Sequence, residues 1–223
     1  MGSSTRKIQA KIKKILSPGS HDDSYTVELD KAIPLVMIET LRMRKTRKYF
    51  GDKDFLNLMT GGVQSVQALG GGKVKEFFSD EDFDFSKDIG NDLETERVLE
   101  SILNKIENDI EDIDSSLLLK AFKITMTKIL MEKNFDLYYF VNDFCVNALF
   151  LIVMENINES VIDTYDEKQV KDYDSKIKLK ANQWVDKNLK DTILEYINEK
   201  ITINELIDTL TKKVENSKGD FDE

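Results

Sequence analysis

The sequence predicts a mainly α-helical fold built as a helical bundle, and three properties of the 223-residue chain support this prediction. Only two prolines occur, Pro18 and Pro34, so the chain from residue 35 onward can form helices without a proline break. Helix-forming Leu, Lys and Glu are abundant, and apolar residues recur at spacings of three and four. Because 40% of the residues are hydrophobic, a chain of this length can bury a sizeable core.

The first predicted element is a basic amphipathic arm within residues 1–20. Ile8, Ile12, Ile15 and Leu16 form one apolar stripe at helical spacing, and five basic residues lie between positions 6 and 14. A helix of about three turns is marginal in water when it is alone. We therefore expect the stripe to bind protein, either the chain's own body or a partner, in preference to membrane or nucleic acid.

Residues 21–90 are predicted to form a docking segment, and its first part contains the only strand-like pattern in the chain. Apolar and polar residues alternate from Tyr25 to Leu29, which predicts at most one short strand or an extended lead-in to a helix. The next residues, 35–50, predict a helix that begins after Pro34 and ends before Gly51. Glycines between positions 61 and 72 predict a short helix, Val63–Leu69, between two hinges.

A stretch of mixed acidic and aromatic residues ends the docking segment. Its aromatic residues are Phe77, Phe78, Phe83 and Phe85, and they lie among four acidic residues. This composition predicts a partner-binding segment. Calcium binding is disfavoured, because the ligand spacing, central glycine and closing glutamate of a calcium loop are not all present.

Residues 91–223 predict the helical body, which ends in an acidic tail. Five helices are expected, over residues 91–113, 114–133, 135–157, 175–200 and 202–216. The third contains an apolar run, Leu137–Met154, that is nearly long enough to span a bilayer. Because Asn142, Asp143 and Asn147 interrupt this run, a buried central helix is favoured over a membrane span. Thr202 and Glu205 predict a capping box.

Charge is distributed unevenly along the chain. Residues 1–50 carry a net charge of +6 and the remaining residues a net charge of −16. The stretch "LRMRKTRKYF" concentrates the basic residues Arg42, Arg44, Lys45, Arg47 and Lys48 next to Tyr49. Two interpretations remain open: these residues bind nucleic acid, or they face acidic protein surface in this subunit or a neighbouring one.

The sequence contains no motif that indicates catalysis, a metal site or a cofactor. The single cysteine, Cys145, lies in an apolar run, and it excludes both an intrachain disulfide and a multi-cysteine metal site. The single histidine, His21, stands beside two aspartates in a predicted loop without a second metal-ligating histidine. No nucleophile elbow, dinucleotide loop or phosphate loop matches, so we expect no enzymatic activity.

Together these patterns favour a non-enzymatic helical interaction protein, a subunit or assembly factor of a multi-protein complex. Small helical subunits of phage assemblies have the same general character, although no motif connects them to this chain. The expected partner is another protein or a second copy, without cofactor or small-molecule substrate. The N-terminus has no apolar signal segment, so a cytoplasmic location, or one in a virion for a phage component, is expected. The alternative is a nucleic-acid-binding subunit that uses residues 6–14 and 42–48.

Overall fold

The computed structural model describes residues 2–16, 25–73, 92–108, 116–162 and 167–217. Within these ranges the chain forms nine helices and no strand. The helices are α1 (Gly2–Leu16), α2 (Tyr25–Leu41), α3 (Arg44–Phe50), α4 (Lys53–Gly70), α5 (Asp92–Asn108), α6 (Ser116–Glu132), α7 (Leu137–Ile162), α8 (Glu167–Ile197) and α9 (Ile203–Asn216). The predicted mainly α-helical class is therefore confirmed.

Helix α7 lies at the centre of the bundle. It is contacted by α1, α2, α4, α6 and α8, while α5 packs on α4 and α6, and α9 packs on α3, α4 and α8. All nine helices contribute side chains to one buried core. The stretch Leu137–Ile157 is long and apolar enough to cross a membrane, but 56% of its most apolar window is buried by the surrounding helices. Central helices of bundles meet the same criteria of length and composition.

A cluster of phenylalanines joins the three helices α4, α6 and α7. The ring of Phe144 stacks on Phe55 at 5.1 Å between centroids and on Phe140 at 6.0 Å, and it meets Phe122 edge-on. Each of these four side chains is fully buried. Aromatic pairs at such separations add to the stabilisation that comes from burying their surface.

The glycines of α4 lie inside a continuous helix, so the prediction of a short helix between two hinges is wrong for the pair Gly61 and Gly62. A Cβ added at Gly62 would lie 2.7 and 2.8 Å from the two ε carbons of Phe140, and one added at Gly61 would overlap Ile106. The glycine pair thus lets α4 approach α5 and α7 closely. The triplet at Gly70 to Gly72 does end the helix, and residues 74–91 lie outside the described part of the chain.

Two further predictions about residues 25–50 are corrected. Tyr25–Leu29 is helical and belongs to α2, which also includes Pro34 in its interior. Leu29 is followed by Ile33, Met37 and Leu41 at a spacing of four, so the helical period extends through the short alternation. The predicted helix over 35–50 is interrupted at Met43, whose extended backbone places its side chain in the core. The hydroxyl of Thr46 donates a hydrogen bond of 2.7 Å to the Thr40 carbonyl across this break.

The helices of the body agree with the sequence predictions, apart from their ends. Helix α7 extends five residues further than predicted and α8 begins eight residues earlier. The capping box at the start of α9 is confirmed, since Thr202 and Glu205 exchange hydrogen bonds of 2.7 and 3.3 Å. Inside the core, the Asn147 side chain of α7 donates a 2.9 Å hydrogen bond to the Thr125 hydroxyl of α6. This buried pair fixes the register of two central helices.

We predict that Gly62→Ala destabilises the protein by about 1 to 3 kcal/mol, because the added methyl group overpacks the contact with Phe140. Ordinarily a Gly→Ala change within a helix is stabilising by up to about 1 kcal/mol. Gly51→Ala is the matched control, since its Cβ would meet nothing closer than 3.8 Å. Urea unfolding measures both free energies of unfolding, and equal stability of the two variants would contradict the proposed role of Gly62.

Candidate functional site: a basic surface around Glu39

The two basic segments of the sequence meet at one carboxylate. Glu39 Oε1, near the end of α2, lies 2.6 Å from Lys11 Nζ of α1 and 2.9 Å from Arg42 Nη1. Only 10% of the Glu39 side chain is exposed, whereas 56% of Lys11 and 46% of Arg42 are exposed. Glu39 therefore holds residues 6–14 and 42–48 together, and both cations still face solvent.

We define the basic surface as the exposed cations of α1 and of the junction between α2 and α3. These residues are Lys7, Lys11, Lys13, Lys14, Arg42, Arg44 and Lys48. Lys7, Lys11 and Lys14 follow one side of α1 at spacings of four and three, and Arg44 and Lys48 are one turn apart on α3. Within the described part of the chain, Lys7, Lys14, Arg44 and Lys48 form no salt bridge.

The basic residues of α1 face outward because its apolar stripe faces inward. Ile12 is fully buried, Ile8 and Ile15 are half-buried, and the helix packs on α2 and α7. The predicted partner-binding stripe thus lies on the chain's own body, which was the first of the alternatives for it. Leu16 ends α1, and its side chain lies outside the described part, as do Phe77, Phe78, Phe83 and Phe85.

Some of the predicted nucleic-acid-binding residues contact acidic residues of the bundle, and others are exposed to solvent. Arg47 lies 3.7 Å from Glu215 of α9, and the Tyr49 hydroxyl donates a 3.1 Å hydrogen bond to Glu155 of α7. Tyr49 is half-buried and the adjacent Phe50 is only 1% exposed. Lys45 belongs to α3, and its side chain is outside the described part. Arg42, Arg44 and Lys48 therefore remain as exposed cations without an exposed aromatic ring from Tyr49 or Phe50.

Sequence reasoning did not identify Glu39 as the residue that organises this surface. One signal was available: Glu39 is the only acidic residue between positions 31 and 51, and it lies three residues before Arg42. That spacing predicts an ion pair on a helix. The contact with Lys11, 28 residues away, depends on the packing of α1 against α2 and has no local signal.

The buried Cys145 thiol and the exposed Lys128 amine both have raised pKa values, which oppose nucleophilic chemistry. Burial raises the pKa of the Cys145 thiol to about 12, so the thiol stays protonated. Burial alone would lower the pKa of Lys128, but hydrogen bonds with Asp143 and Tyr139 outweigh it and raise the pKa. Lys128 is thus held as an ammonium, 2.8 Å from Asp143 Oδ2. No group of three metal-ligating side chains is found among the described residues, and His21 lies outside them.

We predict that Glu39→Gln loosens α1 from the bundle. Losing the charge on this carboxylate weakens two charge-assisted hydrogen bonds, but both cations can be solvated, so we expect a loss of about 1 kcal/mol. Hydrogen exchange at the α1 backbone amides should accelerate. Glu195→Gln is the control, because Glu195 is exposed and forms no salt bridge in the described structure. Exchange in α1 at the wild-type rate would contradict the role of Glu39.

We predict that Cys145 does not react with an aromatic disulfide reagent in the native protein at mildly alkaline pH. The neutral, buried thiol supplies neither the thiolate nor the access that the reaction needs. After unfolding in concentrated guanidinium chloride, one thiol per chain should react. Leu179→Cys supplies an exposed thiol as the positive control. Native labelling of Cys145 as fast as labelling at position 179 would contradict the buried environment.

Comparison with known proteins does not assign the chain to a family. It matches no protein-family model, no curated protein and no solved structure.

Proposed function

We propose that this chain is a non-enzymatic helical interaction protein, a subunit or assembly factor of a multi-protein complex that docks through its basic surface. The observation that carries this proposal is the convergence of two basic segments at Glu39. It leaves Lys7, Lys14, Arg44 and Lys48 without salt bridges in the described structure, on a chain whose net charge is −10. Complementary charge steers association and determines the orientation of the partner.

An acidic protein surface fits the basic surface better than nucleic acid does. Binding of single-stranded nucleic acid usually combines cations with aromatic side chains on which the bases stack. Here Tyr49 is bonded to Glu155 and Phe50 is buried. Residues 51–223 also carry a net charge of −16, which disfavours a long polyanion. A small acidic protein patch is compatible with a small basic surface.

Nucleic acid is the second candidate partner, and the convergence of residues 6–14 and 42–48 also supports it. Binding would then be through the phosphate backbone and would not depend on sequence. With four phosphate contacts, the logarithm of the binding constant should fall with the logarithm of salt concentration with a slope of about −3.6. The proposal requires no cofactor, metal or small-molecule substrate. It is consistent with a cytoplasmic location, or with a virion if the complex is of a phage type.

The experiment is a co-purification from the native source at moderate salt with three forms of the full chain. The first form is wild type, and the second changes Lys7, Lys14, Arg44 and Lys48 to Glu. The third is a control with the same change in net charge, at Lys133, Lys178, Lys200 and Lys212, which lie outside the basic surface. We predict that a stoichiometric protein partner purifies with wild type and control and is lost from the second form.

Two results would overturn parts of this proposal in different ways. A protein partner that is retained by the second form would leave the interaction role intact but remove the basic surface as the docking site. Nucleic acid that co-purifies with wild type and control, and is lost from the second form, would make the second candidate correct. Circular dichroism of the three forms checks that the helical content is unchanged.

A further inference from the structure

Helix α6 carries an exposed apolar stripe that the basic surface does not explain. Leu117, Ile124 and Met131 recur every seven residues, so they lie on one side of the helix. Leu117 is half-buried, whereas Ile124 is 38% exposed and Met131 is 51% exposed. Single exposed apolar residues are ordinary, but these three share one side of the helix over about 21 Å, with Leu117 packed against the core and Ile124 and Met131 exposed.

The same side of α6 is basic. Lys120 and Lys123 lie beside the stripe and are exposed, and neither forms a salt bridge within the described residues. Lys128 is neutralised by Asp143 at 2.8 Å. The only acidic residue of the helix is Glu132, whose carboxylate accepts a hydrogen bond from the Tyr139 hydroxyl. The chemistry that this side fits is therefore a segment with apolar side chains and several carboxylates.

The chain contains one such segment, residues 77–85, with four phenylalanines and four acidic residues in nine positions. It belongs to residues 74–91, outside the described part. The described chain stops at Lys73, just beyond Gly70, whose added Cβ would lie 3.2 Å from the Phe135 Cβ. Because Phe135 follows α6 closely, Lys73 stands near the end of α6 that carries Met131.

The length of the connection also suits this placement. Phe77 comes four residues after Lys73, a step that can span about 13 Å, and residues 77–85 in extended form match or exceed the length of the stripe. Asp92 comes seven residues after Phe85, so the chain can return about 23 Å to the start of α5. Helix α5 packs on α4 and α6, so the chain resumes on a helix that contacts α6.

We propose that residues 77–85 of the same chain bind the exposed basic and apolar side of α6. A tethered segment has an effective concentration in the millimolar range, which exceeds the concentration of a second copy in a micromolar solution. The same chain is therefore the favoured occupant. A partner that offers an acidic and aromatic segment to α6 must displace residues 77–85. This inference does not depend on the basic surface, so either can fail alone.

Disulfide trapping in the full chain tests the placement. Ser79→Cys is combined with Met131→Cys, and the control combines Ser79→Cys with Leu179→Cys on α8. Leu179 is 56% exposed and provides an equally accessible position on a different helix. We expect a disulfide within one chain for the first pair, at least ten times faster than for the control. Equal rates would overturn the proposal, and a disulfide only between chains would assign the segment to a second copy.

Peptide binding tests the same inference without a cross-link. The probe is a fluorescent peptide of residues 75–88, and the protein is the full chain with Phe77, Phe78, Phe83 and Phe85 changed to Ser. We expect the probe to bind this variant and to bind wild type about tenfold more weakly, because the tethered segment competes. Adding Lys120→Glu and Lys123→Glu should abolish binding, whereas Lys200→Glu and Lys212→Glu should not. No binding, or equal binding to all forms, would overturn the proposal.

Discussion

The structure depends on covering one long apolar helix on all sides. The first five turns of α7 have no continuous polar face. If α7 were exposed, a large apolar surface would be in contact with water, which is unfavourable. Five helices pack on α7, and the close helix–helix contacts of the bundle follow from the need to cover its apolar surface. The glycines of α4 bring that helix against Phe140. The buried side-chain amide of Asn147 donates to the Thr125 hydroxyl, because a buried polar group needs a hydrogen-bond partner.

The basic surface is a consequence of the same requirement. Helix α1 contributes its isoleucines to the cover of α7 and α2, so its lysines have only the outer side left. The break at Met43 turns the chain so that a methionine side chain enters the core while Arg42 and Arg44 stay outside. Glu39 then compensates part of the resulting charge between α1 and α2. Four cations remain without salt bridges in the described structure, and they make this surface positively charged.

The sequence predicts those elements whose signal is local, and it fails where a distant contact decides. The helices α5, α6 and α9 and the capping box at Thr202 have local signals, and the sequence predicts each of them. The role of Gly61 and Gly62 was missed, because their partners Ile106 and Phe140 are more than forty residues away. At Tyr25–Leu29 five residues were too few to distinguish a period of two from one of 3.6. The apolar stripe of α1 was evident from its spacing, but the surface that receives it is formed only by the folded bundle.

Two surfaces of this chain combine charge and apolar area in different proportions, and this difference determines how each responds to salt. On α1 the apolar stripe is already used inside the fold, so binding at the basic surface relies on charge and should weaken steeply as salt screens it. On α6, Ile124 and Met131 are exposed among the described residues and lie beside Lys120 and Lys123, where we propose that residues 77–85 bind. Binding there should retain the contribution from buried apolar area at high salt. A partner that stays bound at high salt would therefore bind the exposed side of α6. A partner that dissociates at high salt would bind the basic surface.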